Sequence, residues 1–197
     1  MRIFYILLLI LIVVISTIFI SNYNTIQKND EAVIASASEV LNQYQRRADL
    51  IPNLISTVKG YSNYEKDVLQ EVTNARASIG RISVSAQQLT DPNEMATYQN
   101  AQQALGQSLS RLLAVSERYP ELQASSLYQD LMVQLEGAEN RIAVARGNYI
   151  KTVREYNTLI RQFPYNLIAS QFGYQEKASF NVNDEQTIKR VPVVDFN

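Results

Sequence analysis

Two hydrophobic patterns divide the chain. Residues 3–20 carry no charge and only Ser16 and Thr17 as polar interruptions, a run that at about 1.5 Å per helical residue matches the hydrocarbon thickness of a bilayer. A cleavable leader has a shorter apolar stretch followed by a small-x-small site. Here Ile18-Phe19-Ile20-Ser21-Asn22-Tyr23 follows, so a retained single-pass transmembrane helix is expected over residues 1–21. Beyond it the apolar positions recur at helical steps. Val33, Ala37, Val40, Tyr44, Ala48, Ile51, Ile55 and Val58 form one stripe, with Gly60 read as its C′ terminator. No breaker separates Tyr23 from this stripe, so the membrane helix is expected to run on into the first bundle helix without a flexible linker.

Ser62 with Glu65 reads as a capping box for a second stripe of Tyr64, Val68, Val72, Ala75, Ile79 and Ile82. Residues 83–90 lack a period and read as a loop. Asp91, Pro92 and Glu94 have the order of an N-cap, an N1 proline and a box partner, opening a helix through Tyr98, Ala101, Leu105, Leu109, Leu112 and Val115 that Tyr119-Pro120 ends. Ser126 with Gln129 is expected to cap the longest element. Its stripe is Leu127, Leu131, Leu135, Ala138, Ile142, Ala145, Tyr149, Val153, Tyr156, Ile160 and Phe163, and Pro164 stops it. A helix on the order of 50 Å is too long for a globular core. The expected fold is therefore all-α: an elongated antiparallel up-and-down bundle of about four helices over residues 22–164. Residues 165–180 hold Tyr165, Phe172, Tyr174 and Phe180 without a helical period, and read as an aromatic arm packed on the bundle. The alternative is an exposed aromatic surface for a partner or headgroups. Residues 181–197 read as a loosely ordered tail, in which Val191-Pro192-Val193-Val194 has the composition to add as a strand to another protein.

Composition then removes chemistry. Without His, Cys or Trp the chain builds no Ser-His-Asp or Cys-His dyad, thiolate or histidine zinc site, or disulfide. No calcium loop or phosphate-cradling Gly-Lys run is present, and no cofactor or metal is expected. Net charge is −1 with Lys and Arg scattered, so no basic stripe faces nucleic acid. The expected partners are membrane lipid, through the N-terminal helix, and a protein partner or a second copy. Arg2 and the amino terminus on one flank against Lys28 on the other give a slight bias towards an inside amino terminus and a periplasmic bundle; the cytoplasmic side stays open.

Pro52 lies within the first stripe, where it removes a backbone hydrogen bond and frees the carbonyl of Ala48. Arg46, Arg47, Asp49, Pro52 and Asn53 then either frame a partner or ligand site, or set the crossing angle of the first helix. Arg47 sits at the edge of its stripe, between Tyr44 and Ile51, and Glu139 at the edge of another, between Leu135 and Ile142. Desolvating a lone ion costs several kcal/mol, so an interhelical Arg47–Glu139 pair is expected, with Arg46, Arg76 or Arg146 as alternative partners for Glu139. The competing arrangement has each head reaching water along its apolar stem. Glu136 and Glu139, three apart, share a face, and a carboxylate enzyme would hold them in a pocket rather than in a surface ion pair.

The run Arg46-Arg47-Ala48-Asp49-Leu50-Ile51-Pro52-Asn53-Leu54, continuing to Val58-Lys59-Gly60-Tyr61, resembles the signature of the LemA family of bacterial membrane-anchored helical proteins. So do Leu113-Ala114-Val115-Ser116-Glu117-Arg118-Tyr119-Pro120, Glu136-Gly137-Ala138-Glu139-Asn140-Arg141-Ile142, and Tyr156-Asn157 through Phe163-Pro164. The resemblance implies an amino-terminal anchor and a long up-and-down bundle, and no established reaction. Ser62-Asn63-Tyr64 departs from the family, which more often shows an Ala-x-His type stretch. The function expected from all of this is a membrane-anchored interaction or scaffold protein of the bacterial cell envelope, not an enzyme. A membrane-shaping or oligomeric assembly protein, and a carboxylate-dependent enzyme, are the alternatives.

Overall fold

The computed structural model describes residues 1–61 and 65–180. These form six helices: α1 (Arg2–Tyr61), α2 (Lys66–Arg81), α3 (Pro92–Ser116), α4 (Pro120–Gln123), α5 (Ser126–Arg161) and α6 (Tyr165–Phe172), with a 3-10 turn at Gln88–Thr90 and no strand among the described residues. The fold is an all-α bundle with one long apolar amino-terminal helix.

α1 is unbroken for 60 residues, about 90 Å. Every residue from 1 to 20 on it is exposed, an apolar surface that has a favourable solvent only in a bilayer. Burial begins at Ile26 and continues through Val33, Ala37, Val40, Tyr44, Ala48, Ile51 and Val58. One helix is thus both anchor and core. α5 packs antiparallel along it, and α2 packs antiparallel on α3. Contacts across the pairs set a common level: Arg47 meets Gln102 of α3 and Glu139 of α5. At the far end the Ser116 and Tyr128 hydroxyls lie 2.6 Å apart, and Glu65 accepts from Arg118 (2.9 Å) and Tyr119 (3.3 Å).

Near the membrane the partners of α1 and α5 change. The chain after α6 takes the place that α2 and α3 occupy higher up. Lys177 Nζ lies 3.0 Å from Asp30 Oδ1, and Asn157 brackets the Lys177 backbone by accepting from its N–H (2.9 Å) and donating to its carbonyl (3.0 Å). The Tyr149 hydroxyl donates to the Ala178 carbonyl at 2.8 Å, and the Ala178 N–H donates to the Thr90 carbonyl at 2.9 Å. Phe180 is buried against the edge of Tyr149, ring centres 5.4 Å apart.

Several local expectations are corrected. Gly60 does not terminate α1, which includes it and has no left-handed residue there. α2 begins at Lys66 with Glu65 in the N-cap position but making no cap bond, because its carboxylate is held by Arg118 and Tyr119; Ser62, and with it the capping box, lies outside the described residues. Ser126 is the first helical residue rather than the cap, and Gln129 reaches back to the Gln123 carbonyl. The α5 stripe starts at Tyr128, not Leu127, and stops at Ile160; Phe163 is past the helix end and exposed. α1, not α5, is the longest element. Residues 165–172 are helical, where no period was read, because a single two-turn helix is too short to show one. The tail at 181–197 lies outside the described residues. The Asp91 cap is as read, its side chain accepting from the N–H groups of Asn93 and Glu94.

Removing residues 1–21 is expected to leave a soluble, predominantly helical domain, since the stripes from Val33 to Ile160 bury one another without lipid. Circular dichroism of the truncated protein checks this; a largely unfolded or strand-rich spectrum would show the bundle depends on its anchor.

Candidate functional site

Arg47 is the one charged residue in the buried set of the described residues, 5% exposed. Its Nη1 donates to Glu139 Oε1 at 2.8 Å, and its Nη2 donates to the side-chain oxygen of Gln102. The guanidinium also lies 5.2 Å from the Tyr44 ring centre, and Tyr44 meets Tyr98 edge-on at 5.6 Å. Three helices are therefore fastened at one level by a single cation. Burial raises the pKa of both tyrosines, with Arg146 and Arg47 opposing the rise at Tyr44 and a Gln102 hydrogen bond opposing it at Tyr98, so both rings stay neutral phenols at physiological pH. The desolvation falls unequally on the ion pair: the Glu139 side chain is 48% exposed and keeps much of its hydration.

At this cluster a groove of about 630 Å³ lies between α3 and α5, with Tyr44 and Arg47 of α1 also lining it. Gln99, Gln103, Gly106 and Gln107 form the α3 wall; Leu135, Glu139, Ile142 and Arg146 form the α5 wall. The surface is mixed, with the Arg47–Glu139 ion pair already closed in it and a row of glutamine amides along one side. It suits recognition of a polar or amphipathic surface more than bond-making. Glu136 is exposed and does not line the groove, so the two carboxylates three apart do not converge.

The motif around Pro52 splits by helical phase. Arg47, Ala48, Ile51 and Leu54 face inward, whereas Arg46, Asp49, Pro52 and Asn53 are exposed and stand away from the groove. Asp49 accepts from Gln45 at 2.7 Å. Pro52 leaves the buried Ala48 carbonyl without its helical donor, and Arg76 Nε on α2 supplies one at 3.1 Å. Arg76 is thus committed to the backbone of α1, and Arg146 lies 4.7 Å over the Phe180 ring, leaving Arg47 as the partner of Glu139. Gln102 and Arg76 were not singled out from the sequence as parts of these contacts. Gln102 was legible, being four after Tyr98 and three before Leu105 on the buried stripe.

Two tests follow from these contacts. Arg76→Met should cost about 1–3 kcal/mol by orphaning the Ala48 carbonyl, and the same change in a Pro52→Ala background, where a backbone N–H returns at position 52, should cost clearly less. Urea unfolding of the four proteins reads this; equal costs in both backgrounds would detach Arg76 from the proline. For the ion pair, a double-mutant cycle of Arg47→Met and Glu139→Leu should give a coupling of about 1.5–3 kcal/mol. Glu139→Leu should be the costlier single change, because it strands the buried cation, whereas Arg47→Met strands a half-hydrated carboxylate.

Residues 36–196 match the LemA family. The chain is 23% identical over 193 residues to Protein LemA of Metamycoplasma hominis, covering 98% of this chain and 83% of that protein. It is 26% identical over 174 residues to Magnetosome protein MamQ 2 of Paramagnetospirillum magneticum, and 25% identical over 181 residues to Magnetosome protein MamQ of Magnetospirillum gryphiswaldense. Those alignments cover 80% and 84% of this chain but 64% and 66% of the relatives, so the chain spans about two thirds of their length. The match starts within α1 at residue 36 and takes in the Arg47–Glu139 junction, α5 and α6, and the chain belongs to the LemA family.

Proposed function

We propose that this protein is a membrane-anchored interaction scaffold of the bacterial cell envelope, holding a docking groove at a fixed height above the lipid. The observation that carries the reading is the continuity of α1. The same helix that crosses the membrane also lines the groove, so Arg47 stands about 40 Å above Ile20 with no hinge between them. A catalyst would gain little from such rigid elevation, and none of the names borne by the relatives denotes a reaction. The occupant proposed for the groove is a helix of a protein partner. The α3 wall from Gln99 to Leu113 runs about 20 Å, enough for four turns of an amphipathic helix laid between α3 and α5. The flanking charge of the anchor favours a bundle on the periplasmic side.

A photo-crosslinking residue at Gln107, which is exposed on the groove wall, should capture a protein partner in intact cells, whereas one at Val133, exposed and outside the groove, should not. A Cβ at Gly106 meets open space, so Gly106→Leu projects into the groove and should abolish capture without lowering the melting temperature, Leu being the better helix former. Adducts at twice the mass of the chain would favour the oligomeric assembly protein instead. Capture indifferent to Gly106→Leu would remove the groove from the function.

A further inference from the structure

α6 sits where the bundle meets the end of the membrane span. α5 descends along α1 to the level of Asp30, which faces Tyr156 and Lys177, and five more residues carry it about 7.5 Å further down to Arg161. At the other end of α6 the Phe172 ring lies 6.1 Å from Phe19 and 5.2 Å from Tyr23, centre to centre. Both ends of the segment therefore lie close to the last residues of the apolar run, and α6 closes the base of the bundle.

Its two faces differ sharply. Ile168 and Ala169 turn inward and are buried, while Phe163, Leu167 and Phe172 are 78%, 59% and 52% exposed. Between Arg161 and Glu176 there is no charged residue, in a chain of which 19% is charged. An uncharged stretch with three large apolar side chains turned outward has an unfavourable solvent in water and a favourable one next to the span. Phe172 touches Phe19, a residue inside that span, so the two surfaces are continuous. Tyr23 and Tyr174, with ring centres 6.5 Å apart, stand beside them as amphipathic rings of the kind enriched at headgroup depth.

We propose that residues 163–173 lie in the interfacial layer of the bilayer that α1 crosses, with Phe163, Leu167 and Phe172 inserted among headgroups and upper acyl chains. The ligand is the lipid surface itself, and the contact is apolar rather than electrostatic, so it needs no anionic lipid and is insensitive to salt. This second foothold fixes the tilt at which α1 leaves the membrane. The proposal rests on α1 being inserted as a span.

The chain contains no tryptophan, so single substitutions report their own depth. Leu167→Trp and Phe172→Trp, in the full chain reconstituted into phosphatidylcholine vesicles, should show blue-shifted emission that high salt leaves unchanged. Lipid brominated near the headgroup should quench both most strongly, and lipid brominated near the chain terminus less. Leu11→Trp, mid-span, should show the reverse order, and Val133→Trp, about 50 Å away, should be quenched by neither. Leu167 is exposed, so its replacement leaves the bundle intact even if Phe172→Trp disturbs its contact with Phe19. Emission at 167 and 172 resembling Val133→Trp would overturn the proposal, as would blue-shifted emission indifferent to brominated lipid, which would show a second copy covering the face. Failure of Leu11→Trp to be quenched would instead remove the anchor on which the proposal rests.

Discussion

A single helix shared between two solvents is the constraint on which the rest of this structure depends. The lower third of α1 has apolar side chains all round and no buried face, whereas from Ile26 upward the apolar positions narrow to one stripe. That change of pattern, with no glycine or proline between Ser21 and Arg47, means that the bundle has no freedom to swing on its anchor. Everything packed on α1 inherits its height and direction. α5, the groove and the ascending chain after α6 each take their level from α1 rather than from any internal centre.

A helix used this way must tolerate polar defects in its packed region, and two are met by side chains from neighbouring helices. Pro52 opens a backbone acceptor at Ala48, and Arg76 closes it from α2. Arg47 introduces a cation under the core, and Glu139 and Gln102 divide its donors from opposite sides. Arg76 ties α2, and Gln102 ties α3, to α1, helices that pack on it less closely along their backbones than α5 does. Directional hydrogen bonds thereby fix the mutual register of the two helix pairs, a job that a uniform apolar seam performs poorly because sliding by one turn preserves it. The buried Arg47 Nε has no partner among the described residues, so the junction is not fully satisfied and its value is better sought in register than in net stability.

Much of this was legible in the sequence. The stripes identified four bundle helices and most of their buried residues, because a period sustained over five or more turns outweighs local noise. The Asp91 cap was legible because its residues act on their own neighbours. The cap read at Ser126 failed locally, since Ser126 is the first helical residue and Gln129 turns to the Gln123 carbonyl, whereas Glu65 is drawn off by Arg118 and Tyr119, fifty-odd residues away. The same holds at the site. Arg47 and Glu139 stood out because an ion at a stripe edge demands compensation, whereas Arg76 carried no sign that its target was a carbonyl on another helix. The motif around Pro52 looked contiguous in sequence, but helical phase sends half of it to solvent and half to the core.

The chain after α6 shows how a short segment acquires definite structure without a period of its own. Asn157 holds the Lys177 peptide from both sides, Tyr149 and Thr90 take the next residue, and Phe180 fills the space beside Tyr149. Those partners come from α5 and from the turn before α3, so the segment is ordered only once both are in place. Burial of the Tyr149 and Tyr156 hydroxyls raises their pKa, at Tyr156 with the Asp30 carboxylate adding to the rise. Groups held neutral in this way contribute fully below the pKa of an unfolded tyrosine, about 10, and the contribution is lost as pH climbs towards the folded value. Strong alkali should accordingly loosen the lower half of the bundle, where both of these hydroxyls lie.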